Sequence, residues 1–219
     1  MSLQTLVNKA QQIEFDRGRI ISTTISRSQR IKTAERDATQ PWRWTVTPPG
    51  SLNWSSNRGV IELIDYNDRD TEYTIQLGQS SGQAYLVKYQ GELDSSQRNS
   101  ITISTFTNQT LVLGNLPAVS GSITTSTVIL KTGDFVQPNN SRYPYTVISD
   151  VLRGSGSVVT ATVHRNLITS EGINPAGQTV KFGVDVSWRF MVLQKPTYSA
   201  VPYDRLQFNG DFVLIERII

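Results

Sequence analysis

The amino-acid sequence predicts a mainly β protein of the α+β class, a large sheet with a flanking helix, interrupted by a small β module. Three observations carry this expectation. Apolar and polar residues alternate over long stretches late in the chain, Val180 to Phe190 and Leu206 to Glu216, with the two-residue period of a half-buried strand. Helical spacing occurs in two places, after Ser2 and after Ser55. Between about residues 105 and 170 the texture changes to short strands at regular spacing, separated by Gly, Pro and Asn turns.

Composition bounds what such a chain can do. Its 219 residues, 37% hydrophobic and 18% charged, suffice to bury one large or two small cores and exclude a disordered chain. The net charge of +3 comes from Lys and Arg scattered among Asp and Glu, so the basic pI of about 9.2 is no nucleic-acid footprint. The absence of cysteine excludes disulfides, thiol nucleophiles and Cys-ligated zinc. The opening residues, with Lys9 and Glu14 close behind Leu6 and Val7, lack the apolar run of a secretory signal, and no later stretch is long and apolar enough to be a membrane span. The triplets at Asn53, Asn108 and Asn139 are therefore expected to be chance matches to a glycosylation motif.

Each element follows from local pattern. Leu3, Leu6, Val7, Ala10 and Ile13 recur every three or four residues after Ser2, a possible N-cap, and predict a short amphipathic helix ending before Gly18. The β-branched run Ile20 to Ile25, followed by Ile31 and Thr33, predicts a hairpin turning near Arg27 to Gln29. Trp42 to Thr47 alternates strictly, placing Trp42, Trp44 and Val46 on one face, and Pro48-Pro49-Gly50 stops it. Ser55 and Ser56 are suited to cap a second helix with an apolar stripe of Val60, Ile61 and Ile64 and a polar one of Glu62, Asp65 and Asp68. Strands are expected at Glu72 to Leu77 and Ala84 to Gln90, then at Thr110 to Leu113, Thr127 to Leu130, Phe135 to Gln137, Tyr145 to Ile148 and Val158 to Val163. Val180 to Phe190 returns to the first texture, so residues 1–105 and 170–219 read as one discontinuous domain and 106–169 as the insert. Trp42, Trp44, Trp188, Phe190 and Phe208 are its expected core.

The residues that could carry chemistry have simpler structural roles. His164, the only histidine, closes the strand Val158 to Val163; with no second His and no Cys, a metal site would rest on carboxylates alone. Gly154-Ser155-Gly156-Ser157 lacks the Lys of a P-loop and the third glycine of a dinucleotide site, and reads as a hairpin tip between Val147 to Leu152 and Val158 to Val163. Glu62, Asp65, Asp68 and Asp70, beside Arg58 and Arg69, read as a solvated helix face or a charged subunit contact. Aromatics beside Arg, as in Trp42-Arg43-Trp44, Arg142-Tyr143-Pro144-Tyr145 and Trp188-Arg189-Phe190, could stack nucleic-acid bases. Residues two apart on a strand share a face, so Trp42/Trp44 and Trp188/Phe190 are assigned to the core, with Tyr143 and Tyr145 open between core and platform.

Taken in order, the Trp42-x-Trp44 strand, the helix with Ile61, Ile64 and Asp65, the strand Tyr73 to Leu77, the inserted module with Gly133-Asp134-Phe135 and the closing Phe208-x-Gly210-Asp211-Phe212 resemble the tail-tube-like ring proteins at the distal end of tailed-bacteriophage tails: the distal tail proteins and related tube-extension proteins of the baseplate. Gly133 to Pro138, Tyr143 to Val147, Val163-His164-Arg165, Met1 to Thr5 and Ser26-Arg27-Ser28 are also similar to structural proteins of tailed phages. The resemblance covers most of the chain. It implies a tail-tube-like β-sandwich or half-barrel with a flanking helix, six copies closing an inner β-barrel, and an inserted small β-barrel pointing outward.

The function this implies is that of a non-enzymatic virion protein, assembled in the host cytoplasm. It would form a homo-oligomeric, hexameric ring joining the tail tube protein to the baseplate hub or tape-measure protein and to peripheral baseplate or fibre proteins. DNA would meet it only as passing contents of the lumen, which the Ser/Thr/Gln-rich faces of Arg19 to Ser26 and Glu72 to Leu77 would suit. Catalytic, cofactor and metal residues are expected to be none, and no membrane partner is expected. The alternative is a host-surface carbohydrate-binding module of a tail appendage, using an aromatic patch on the inserted barrel. An enzyme ranks third, because no constellation of residues commits to one.

Overall fold

A computed structural model describes residues 3–17, 21–25, 31–35, 40–66, 71–78, 80–169 and 172–218. In chain order these form helix α1 (Leu3–Asn8), strands β1 (Gln12–Asp16), β2 (Ile21–Ile25), β3 (Ile31–Glu35), β4 (Arg43–Thr47) and β5 (Leu52–Asn53), helix α2 (Trp54–Tyr66) and strand β6 (Glu72–Ile75). After a 3-10 turn at Ala84–Leu86 come helix α3 (Ser95–Asn99) and strands β7 (Thr102–Thr107), β8 (Thr110–Gly114), β9 (Val128–Leu130), β10 (Phe135–Pro138), β11 (Tyr145–Thr146), β12 (Val151–Leu152) and β13 (Val159–Thr162). Strands β14 (Val180–Phe182), β15 (Trp188–Gln194), β16 (Thr197–Val201), β17 (Arg205–Asn209) and β18 (Phe212–Glu216) follow. The protein is mainly β.

The first core lies on a five-stranded antiparallel sheet in the order β1-β4-β18-β15-β6. Its register sets Trp44 opposite Leu214, Val46 opposite Phe212 and Trp188 opposite Ile75, so one apolar face is continuous across the strands. Trp44 packs 4.8 Å from Trp188 and 4.7 Å from Phe190, ring centre to ring centre, and Phe15 stacks on Trp44 at 4.7 Å. Trp42, Trp44, Trp188 and Phe190 are buried as expected, and Phe208 is half-buried against them. Leu3, Leu6 and Val7 of α1 and Ile61 of α2 join the same core.

A second core gathers Leu93, Ile101, Ile103, Leu111, Leu113, Val147, Val163, Val180 and Phe182, among others, so it draws on residues from both sides of 106–169. Two three-stranded sheets, β13-β8-β7 and β11-β10-β14, surround it. Antiparallel bridges at Thr102 with Thr179 and at Val147 with Val163 connect the two sheets at both ends. Phe135, at the head of β10, turns the other way and packs on Trp188 and Trp42 in the first core.

Five sequence expectations are corrected by tertiary pairing. The first helix stops at Asn8, and Ile13 sits instead on β1 opposite Val46, because Ile13 and Phe15 alternate toward β4. The N-cap of α2 is Asn53, not Ser55 or Ser56. The helix begins at Trp54, and the Asn53 carboxamide oxygen accepts the Ser56 N–H at 2.9 Å. A second cap comes from the β16–β17 turn: Asp204 accepts the Trp54 N–H with its carbonyl oxygen and the Ser55 N–H with its carboxylate. Ala84 to Gln90 is a 3-10 turn and irregular chain, wound by the Ser81 hydroxyl accepting the Gln83 N–H. The Gly154 to Ser157 loop is not the tip of a continuous hairpin: Val147 pairs with Val163, but beyond that bridge the two segments part, β12 to β9 and β13 to β8, and the Arg153 guanidinium holds the loop by donating to the carbonyls of Gly154, Gly156 and Pro117. The expected hairpin is present as β2 and β3, in register Thr23 with Thr33, while its turn at Arg27 to Gln29 lies outside the described residues.

The fifth correction concerns the long strand Val180 to Phe190, which is two strands serving two cores. β14 pairs with β10 around the second core, and β15 pairs with β18 and β6 in the first. Between them Gly183 takes φ +58°, and a Cβ there would lie 2.8 Å from the Tyr89 nitrogen and 3.0 Å from the Val87 oxygen. Gly210, at φ +102°, breaks the next stretch in the same way, handing the chain from β17 to β18.

Replacing Gly183 with Ala adds both left-handed strain and a backbone collision, so Gly183→Ala is expected to lower unfolding free energy by about 2–3 kcal/mol. Chemical denaturation checks this, and an unchanged midpoint would mean that the crossover tolerates a side chain.

Candidate functional site

A fully buried ion pair lies where the two cores meet. On β18 the residues Phe212, Leu214 and Glu216 point to the same side, so the alternation carries a carboxylate onto the apolar face of the sheet. Arg165, just beyond β13, reaches it from the second core. The pair is bidentate, Nη1 to Oε2 and Nη2 to Oε1, the latter at 2.8 Å, and both side chains are fully buried. Nη1 also donates to the Gln40 carbonyl and Nη2 to the Pro144 carbonyl, both at 3.0 Å, while the Trp42 N–H donates to Glu216 Oε2 at 3.1 Å. The bonds from Arg165 to Glu216 and to the Gln40 carbonyl cross from the second core to the first, so the pair acts as a clasp.

His164 stands beside this clasp, its ring centre 5.2 Å from that of Trp42 and 6.3 Å from that of Tyr145. Its Nδ1 accepts the Thr146 N–H at 3.0 Å, so the neutral ring carries its proton on Nε2. Arg17 completes the corner by donating to the Thr146 hydroxyl at 2.7 Å and lying 5.7 Å over the Trp42 ring. Burial first, then the charges of Arg165 and Arg17, push the His164 pKa down to about 3. A base this weak is fitted to packing and to accepting a backbone N–H.

The other sequence candidates are dispersed. Tyr143 and Tyr145 are buried in the second core, which closes the question of a surface platform at those rings; the Tyr145 hydroxyl accepts the Ile168 N–H at 2.9 Å, and burial raises its pKa to about 12. Glu62 and Arg58 are exposed on α2, whereas Asp68, Arg69 and Asp70 lie outside the described residues. Arg142 and Arg189 both approach Glu72 on β6, the closer contact being 3.3 Å from Arg189. Asp134 accepts the N–H groups of Gln90 and Lys131, each at 2.8 Å, and so ties the irregular chain after Ala84 to the turn before β10; burial raises its pKa against those bonds. Among the described residues, no group of three or more His, Cys, Asp or Glu side chains could hold a metal ion, and no helix is long and apolar enough to cross a membrane.

The sequence reading missed the Arg165–Glu216 pair. Its signal was present: Glu216 falls in phase with Phe212 and Leu214, and a carboxylate on the buried phase of a strand demands a cation. No protein-family model matches the chain, and no curated protein matches it as a relative.

Two outcomes follow from this geometry. Glu216→Gln or Arg165→Met leaves a charge buried alone and is expected to cost about 3–5 kcal/mol, while the double replacement Arg165→Met with Glu216→Leu recovers most of the loss; denaturant titrations of the three variants form the check. For His164 the unfolded chain takes up a proton below its ordinary pKa of about 6.5 while the folded protein resists down to about 3. Stability from this group is thus complete above pH 6.5 and falls as the pH drops toward 3, by about 1.4 kcal/mol per pH unit. His164→Asn should flatten that part of the stability profile, and parallel profiles would assign the acid sensitivity to other groups.

Proposed function

We propose that this chain is a structural ring subunit of a phage tail or baseplate, a tail-tube-like half-barrel flanked by helices with a small β-barrel projecting from it. The observation that carries the reading is the five-stranded sheet, whose outer strands β1 and β6 each have a strand partner on one side only among the described residues. A strand with an uncovered edge presents unpaired backbone groups to which another chain can pair. Head-to-tail pairing of β1 from one copy with β6 from the next covers both edges, and a rotation that closes yields a ring of identical subunits. Helix α1 sets the limit of that contact: the Gln4 carboxamide donates to the Gln76 carbonyl and accepts the Gln76 N–H, both at 2.7 Å, satisfying the backbone just past β6.

The second core supports the remainder of the reading. Its strand neighbours run β13-β8-β7 and, through the Thr179 bridge, β14-β10-β11, returning to β13 through the Val147 bridge, which is the connectivity of a small closed barrel. In a ring this module would face peripheral baseplate or fibre proteins, while the sheet would contact the tail tube above and the hub or tape-measure protein below. DNA would pass the lumen without being held, and the location would be the virion. The buried Arg165–Glu216 clasp suits a connector that must transmit force between the two parts.

Native mass spectrometry and negative-stain imaging of the full chain test this reading. Closed rings of six copies are expected, either alone or on addition of a tail-tube partner. A chain that stays monomeric at high concentration and neither closes rings nor caps tube ends would overturn it.

A further inference from the structure

A groove runs along the second core between the irregular segment after Ser81, helix α3 and β14. Its first part, about 440 Å³, lies between the 3-10 turn that follows Ser81, helix α3 and the end of β14. Phe182 and the Tyr89 ring, 5.9 Å apart and edge to face, form its floor, and Tyr85 stands at its rim 67% exposed. Arg98 lies over the Tyr89 ring at 4.2 Å, and Lys88 lines the same space. The second part, about 300 Å³, continues past Arg98 and Phe182, which line both, to Lys181, Asn99, Asn139 and Thr179.

The chemistry of this trough is asymmetric. Lys88, Arg98 and Lys181 line it with no ion pair to any of them among the described residues, against one carboxylate, Asp185, at its far end. Asp94 and Asp134 are both near enough for their charges to bear on Arg98, but Asp94 already accepts the Gln97 N–H and the Ser96 hydroxyl, and Asp134 two backbone N–H groups. The Tyr89 hydroxyl is engaged with the Ile129 carbonyl, and burial raises its pKa to about 12, so the floor stays neutral. An exposed ring offers a flat apolar face, cations offer partners for carboxylates or sulfates, and the amides of Asn99 and Asn139 with the Thr179 hydroxyl offer the paired donors and acceptors that hydroxyl groups need.

We propose that this groove binds an acidic polysaccharide, with the apolar face of one sugar ring on Tyr85, its acid groups between Lys88, Arg98 and Lys181, and neighbouring hydroxyls on Asn99 and Asn139. An acidic peptide such as oligoglutamate would use the cations and pair its backbone with the amides, but it offers no flat apolar face to the exposed Tyr85 ring. A nucleic acid strand would need successive exposed rings, and the groove presents one. The inference stands on the groove alone and does not rest on the ring reading.

Titration calorimetry of the full chain with sized acidic oligosaccharides, uronate-based and sulfated, tests it, alongside a neutral glucan of equal length, oligoglutamate and oligothymidylate. Saturable binding of an acidic saccharide is expected, weakening with salt, at least tenfold tighter than the neutral glucan and tighter than either other polymer. Tyr85→Ala and Lys88→Ala, both exposed, should each weaken it fivefold or more with the thermal midpoint unchanged. Failure of every acidic saccharide to bind, equal binding by both variants, or preference for oligoglutamate or oligothymidylate would each overturn the assignment.

Discussion

Glu216 is carried onto the apolar face of the main sheet by the pleat of β18, and a lone carboxylate there would be intolerable to the fold. Its partner comes from the second core, on Arg165, which follows β13. Formation of the sheet and formation of the second core are therefore coupled: neither charge is satisfied until both parts are in place. The bidentate geometry, with backbone carbonyls of Gln40 and Pro144 taking further donors of the guanidinium, fixes orientation as well as proximity. His164, Trp42 and Arg17 fill the space around the clasp, and the neutral imidazole avoids adding a third positive charge.

The two glycine crossovers serve the same coupling through the backbone. Gly183 opens the short 3-10 turn Gly183–Asp185 by which one stretch of alternating sequence leaves the second core and enters the main sheet, its close approach to Val87 and Tyr89 drawing the irregular segment after Ala84 against both cores. Gly210 does the equivalent between the small sheet β16-β17-β5 and the main sheet. That small sheet in turn lends Asp204 to the N-terminus of α2, where the carboxylate hydrogen bonds hold its pKa low. Sheets, helix and second core are thus tied by short covalent and polar links more than by long loops.

Among the described residues, two outer strands of the main sheet have a partner on one side only, and an open groove lined by Lys88, Arg98 and Lys181 lies on the second core. In the proposed ring the first would be covered by copies of the same chain, leaving the second to face outward toward a surface polymer.

The sequence by itself determined the β class, the face on which Trp42, Trp44, Trp188 and Phe190 are buried, the second helix, and the short-strand texture of the middle, because each rests on a two- or four-residue period that the backbone imposes locally. It located His164 and Tyr145 but not their setting. Where an element ended was decided by partners far along the chain: Ile13 became a strand residue because β4 lies beside it, and Val180 to Phe190 became two strands because two sheets claim its halves. The Arg165–Glu216 clasp and the cationic groove likewise belong to the tertiary structure. Glu216 showed its anomaly in phase with Phe212 and Leu214, but the cation that answers it lies 51 residues away, and only folding brings those two charges out of water together.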